Sequence, residues 1–173
     1  MENNKSEAKE LKASEVFITQ DAMLSHWQGH RRITRRTIEA FPDDQFYTFS
    51  IGGMRTFAEL VMEIIVLSGP GINGILSGDW TYGNPPLNFS SQPPATKKEI
   101  LAIWDNITEE IDTLWPQIPV SRFHEEESAF GQYDGSIFST TLYIIDNEIH
   151  HRAQGYVYLR ALGIEPPAFW DRS

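Results

Sequence analysis

From Leu60 to Ile75 the sequence carries a single charged residue, Glu63. Leu60, Val61, Met62, Ile64, Ile65, Val66 and Leu67 are apolar nearly all round a helix, so this segment belongs in the centre of whatever the chain builds. It opens with Thr56-Phe-Ala-Glu59, a capping box in which each polar side chain satisfies a free backbone donor at the helix start. Gly69-Pro70-Gly71 weakens the helix, which still reaches toward Leu76. A buried helix of this kind needs amphipathic partners to cover it.

Three such partners are legible. The first runs from about Ser14, a plausible N-cap, to Ala40. Met23, Trp27, His30, Thr34, Ile38 and Phe41 recur at spacings of three and four, and Pro42 ends the pattern. Another starts at a second capping box, Thr96-Lys-Lys-Glu99. It sets Ile100, Trp104, Ile107, Ile111 and Leu114 on one face before Pro116. The last spans about Ser136 to Leu162, with Gly163 suited to a left-handed cap and Pro166-Pro167 beyond it. Its two occupied faces, Ile145/Ile149/Ala153/Tyr156 and Thr140/Ile144/Asn147/His151/Gln154/Tyr158, predict a central or interfacial position. Residues 78–95 are rich in Gly and Pro and read as a loop. Residues 116–135 read as an irregular connection, with Glu125, Glu126 and Glu127 as a solvated charge run. No strand pattern stands out. The expectation is all-α: a four-helix bundle with long irregular connections.

The chain has 173 residues, enough for one core without staples, and residues 13–173 read as one domain after a mobile tail over 1–12. It contains no Cys. That removes disulfides, thiolate ligands and a Cys nucleophile, and fits a reducing compartment. Neither a signal-peptide pattern nor an apolar run of about 20 residues is apparent, so the cytoplasm is the expected location. The formal net charge is −10, which disfavours nucleic acid as a partner. Arg31, Arg32, Arg35 and Arg36 form one basic patch, read as exposed helix flanks.

Candidate chemistry sits in two places. Glu63 in a bundle core needs a cation, a metal or several donors, because an isolated buried carboxylate is very costly. The segment Asp146-Asn147-Glu148-Ile149-His150-His151-Arg152 places Asn147 and His151 together at i and i+4. Imidazole is the commonest metal ligand, and an amide oxygen suits harder ions. His150 points elsewhere. His26 and His30 share the same spacing on the first helix, with His30 facing inward as a satisfied core histidine or as a helper in the Glu63–His151 pocket. There is no zincin signature, phosphate loop or nucleophile elbow.

Met54-Arg-Thr-Phe-Ala-Glu-Leu60, Asp79-Trp80 and above all Glu148-Ile-His-His-Arg-Ala-Gln154 leading to Tyr158-Leu-Arg-Ala-Leu-Gly-Ile-Glu-Pro-Pro167 resemble the DinB/YfiT-like family. The resemblance covers the chain from about residue 15. It implies a four-helix bundle, often dimeric, in which three histidines hold zinc or nickel. It further implies activity as a metal-dependent hydrolase or thiol S-transferase. Carried over residue by residue, the ligand positions fall on Glu63, Asn147 and His151, and only His151 keeps the family's histidine. A Glu/Asn/His set is harder than three imidazoles and should hold zinc less tightly. Any thiol would be a low-molecular-weight cosubstrate, and Arg152 or Tyr158 would orient an acidic substrate. The alternative is a metal-free homodimer of the same fold, with a small-ligand pocket or a structural role.

Overall fold

The computed structural model describes residues 17–173. The expected tail over 1–12 and the Ser14 cap lie outside the described residues. Four long helices pack around one core: α1 (Gln20–Ala40), α3 (Phe57–Ser77), α4 (Lys97–Leu114) and α5 (Ile137–Ala161). A single-turn helix, α2 (Asp43–Phe46), follows α1 and delivers Phe46 to the interior. α3 packs on α4 and α5, α1 packs on the same two, and α1 and α3 face each other across the diagonal.

Helix α1 starts at Thr19, whose hydroxyl accepts from the Ala22 amide. Its inward stripe includes Met23, Trp27, His30, Thr34 and Ile38. The capping boxes at Thr56 and Thr96 both form, with the Glu59 and Glu99 side chains returning to the cap backbone. Ile100, Trp104, Ile107 and Ile111 are buried along α4.

Helix α3 does not break at Gly69-Pro70-Gly71. Packing overrides local propensity there. A Cβ on Gly71 would stand 2.7 Å from Ile144 of α5, and one on Gly74 would overlap Trp80. Glycine is what lets α5 and the following loop approach. The helix ends at Gly78 in the left-handed conformation. By length and hydropathy alone α3 could cross a membrane, although no apolar run of that length was expected. Of that stretch, 78% is buried inside the protein.

The connection after α4 corrects two expectations. It holds a short antiparallel hairpin, β1 (Glu126–Ala129) and β2 (Tyr133–Ser136), where no strand was expected. Four-residue strands show too little alternation to be read. The hairpin is set by its turn, with Phe130 at φ 55° and Gly131 at φ 65°. The Glu125–Glu127 run is also not simply solvated. Arg122 donates to the Gly74 and Ile75 carbonyls at the end of α3. It then pairs with Glu125 and Glu127, and Glu127 accepts the Trp80 indole N–H at 2.7 Å. Free helix-end carbonyls recruited an arginine, and the arginine recruited the glutamates.

Helix α5 is capped by Ser136 and closed by Gly163 in a Schellman arrangement, Ile164 N–H to Leu159 O and Gly163 N–H to Arg160 O.

Candidate functional site

The bundle brings three of the four sequence-predicted site residues together. Glu63 faces α5 from the second turn of α3. His151 Nε2 lies 2.9 Å from Glu63 Oε1, and Asn147 Nδ2 donates to the same oxygen at 3.0 Å. Glu63 Oε2 is paired with Arg55 Nη2 at 2.6 Å. Arg55 precedes the helix, and the Tyr158 hydroxyl holds its carbonyl at 2.9 Å. Tyr158 therefore braces the backbone of the arginine that pairs with Glu63.

The protonation pattern follows from these partners. Burial alone would raise the Glu63 carboxyl. Hydrogen bonds from His151, Asn147 and Arg55 outweigh it and hold the group at about 2. Glu63 is therefore ionised at neutral pH, so His151 must carry its proton on Nε2 to donate to it. Asn147 Nδ2 at 3.3 Å from that nitrogen is then a close neighbour rather than a donor. His151 Nδ1 and Asn147 Oδ1 are buried and have no partner among the described residues. Beside the triad, Arg55, Glu59, Glu63, Asn88, Phe89 and Ser91 help line a cleft of roughly 280 Å³.

As arranged, the three side chains offer zinc or nickel no free set of donors. Asn147 turns its NH₂, not its carbonyl, toward the carboxylate, and Arg55 takes the second carboxylate oxygen. Among the described residues no three His, Cys, Asp or Glu side chains converge.

His30 has other company. It is buried between α1 and α5, where Arg152 Nη2 meets its Nδ1 at 3.0 Å. None of its hydrogen-bond partners is Glu63, Asn147 or His151. Burial, then the Arg152 and Arg172 charges and His26, push it down to about 3, so it is neutral. His26 stacks edge-on against it at 4.6 Å. His150 is exposed and meets Gln154.

A second polar cluster surrounds His30, and sequence reasoning missed it. Arg31, expected on an exposed flank, is fully buried. It donates to Thr108 Oγ1 at 2.7 Å, Trp104 O at 3.0 Å and Ser68 Oγ at 3.3 Å. Its guanidinium lies 3.8 Å from the Trp104 ring centre and 3.7 Å from the buried Glu148. Thr34 donates to Glu148 at 2.6 Å and accepts from Arg152 at 3.2 Å. The spacing that singled out Asn147 and His151 applies equally to Glu148 and Arg152, one residue on. Opposite charges at i and i+4 were the signal. The rest of the basic patch is also spent: Arg35 clasps Asp105 and Glu39, Arg36 pairs with Asp171, and Arg32 donates to Arg172 O.

Comparison with known proteins agrees with this architecture. A DinB-like protein from Bacillus cereus superposes with TM-score 0.70 at 16% identity, covering 86% of this chain and 95% of its own. A DinB-like protein from Bacillus subtilis gives TM-score 0.67 at 22% identity, covering 87% and 99%. No curated protein matches the sequence. The family model for "DinB family" matches residues 9–172, which takes in all four long helices and both polar clusters on α5, and on that match the chain belongs to the DinB family.

Proposed function

We propose that this DinB-family protein binds a polar small molecule in the cleft beside Arg55 and Glu63, using hydrogen bonds and charge in place of a transition metal. One observation carries the reading. Both oxygens of Glu63 are taken by protein donors, with Asn147 and His151 on one and Arg55 on the other. A carboxylate so satisfied has little to gain from a metal ion. The cleft sits near the lower end of ligand-pocket sizes, and Arg55, half-exposed, supplies a cation at its rim.

The test is titration of untagged protein with zinc or nickel, followed by calorimetry and thermal melting. An ion at about 100 times its Kd adds about 2.7 kcal/mol to stability. The expectation is no such stabilisation and no stoichiometric heat. Submicromolar binding would overturn the reading.

A second reading keeps a metal-dependent hydrolase or thiol S-transferase. Proximity favours it: Glu63 Oε1 and His151 Nε2 already lie 2.9 Å apart, and widening to about 3.4 Å would match two ligands at about 2.0–2.2 Å from a tetrahedral ion. It requires the Asn147 amide to rotate and Arg55 to leave. With no Cys in the chain, the thiol would be a low-molecular-weight cosubstrate. We further propose a homodimer, because Phe138, Leu142 and Val157 leave exposed apolar surface on α5, and a cytoplasmic location, which the absence of Cys supports. Sedimentation would measure the assembly.

A further inference from the structure

A second cleft, away from the Glu63 site, lies where the hairpin leans on the first turns of α5. It encloses roughly 310 Å³. Its floor is Ala129 and Ile144, both buried. Its jaws are Tyr133 of β2 and Tyr143 of α5. The two rings are near parallel, 29° apart, with centroids 6.3 Å from each other. A plane held between two rings needs two contacts of about 3.5 Å, or about 7 Å in all, so the half-exposed jaws part by roughly 1 Å to admit one. Both tyrosines are about half exposed, and neither hydroxyl is hydrogen-bonded among the described residues. The pair spends aromatic surface on solvent.

The back wall is held at a cost. Phe130 adopts φ 55°, a left-handed conformation that strains a bulky side chain by about 1–3 kcal/mol. Its ring packs on Trp80 at 5.0 Å and Phe89 at 5.8 Å, and stands edge-on to Tyr133 at 6.5 Å. Trp80 is itself tied to Glu127 and seated over Gly74. The wall is thus anchored to the end of α3.

Charge decides what the cleft prefers. Asp134 lines it, and no described residue pairs with that carboxylate. The described lining holds no cation, and the chain carries a net charge of −10. Aromatic faces are electron-rich and attract positive charge. We propose that the Tyr133–Tyr143 clamp binds a planar aromatic cation, with the ring between the tyrosines and its positive charge toward Asp134.

N-methylquinolinium tests this against quinoline at pH 8, an uncharged ring of similar shape. Calorimetry gives the affinities, and amide chemical shifts give the location. The expected result is roughly tenfold tighter binding of the cation, the size of a cation–π contribution, with shifts at residues 130–144. Tyr143→Ala should lose at least roughly tenfold in affinity and Tyr143→Phe should keep it, since the ring and not the hydroxyl acts. Asp134→Asn should weaken the cation and leave quinoline unchanged. Tyr143 is half exposed, so the alanine variant should melt like the wild type, and the melt checks this directly. Equal binding of both probes, shifts elsewhere, or an unaffected Tyr143→Ala variant would each overturn the proposal.

Discussion

Replacing Arg31 by Met isolates the buried cluster between α1 and α5. Arg31 and Glu148 are both fully buried, 3.7 Å apart, and the arginine also serves Thr108, Trp104 and Ser68. Removing one partner of a buried pair costs about 3–5 kcal/mol, because the other charge is stranded. For a chain of this size each kcal/mol moves Tm by about 2–4 °C, so the expected loss is roughly 6–20 °C. The pH dependence is more specific. Burial already pushes the Glu148 carboxyl up, with Arg31, Thr34, Arg152 and Trp27 pulling it back. Without Arg31 it rises further. A group whose folded pKa is raised contributes stability below its unfolded value, about 4.5, and loses it as pH climbs toward the folded value. The variant should therefore deteriorate by up to about 1.4 kcal/mol per pH unit through that window. The gap to the wild type should widen, by up to about 1.4 kcal/mol per pH unit, over the range where the wild-type carboxyl is ionised and the variant's is protonated. Arg152 remains beside Glu148 and softens the slope, while neutral His30 does not. Urea unfolding at pH 5, 6, 7 and 8 measures this. The double variant Arg31→Met/Glu148→Met should recover most of the loss. A deficit under about 1 kcal/mol, or one that is flat with pH, would refute the reasoning.

Glu63 predicts the opposite sign. Its carboxyl is held at about 2 against an ordinary 4.5, so its contribution is present above 4.5 and lost on acidification toward 2. Glu63→Gln should be less stable than wild type at pH 7 and nearly equal at pH 2.5, read from thermal melts across pH. Gly155→Ala would bring a Cβ to 2.3 Å from the ring of Phe57, which is buried and stacked on Phe41 at 4.4 Å. Overpacking of about 1–3 kcal/mol should outweigh the helix-propensity gain of up to about 1 kcal/mol, lowering the urea midpoint. Thr56→Ala removes the α3 capping box and should cost about 1 kcal/mol by the same measurement.

Three long helices were legible by period and cap together, with Thr56 and Thr96 marking starts and Gly163 an end, while the first was legible by its period alone, since Thr19 caps it and it begins at Gln20, not near Ser14. The hairpin was not, since Phe130 gives no hint of a left-handed turn residue. Glu63, Asn147 and His151 were found through spacing and resemblance, and the bundle does bring them together. Arg55 was missed as the partner of Glu63 because it lies outside the helix, where no periodicity points at it. Arg31 was misread because charge was taken as a mark of exposure. Its burial depends on Glu148, Ser68, Trp104 and Thr108, which are 37 or more residues distant in sequence. No local pattern contains that information.

On α5, Asn147 and His151 face α3, while Glu148 and Arg152, one residue on, face α1. Two polar seams so offset give the helix one azimuth, as two wards fix how a key enters a lock. Turning it to improve either seam would misalign the other. The chemistry at positions 63, 147 and 151 can therefore be exchanged while the Glu148–Arg152 seam keeps the helix indexed, and a family sharing this device could vary its site without forfeiting its architecture.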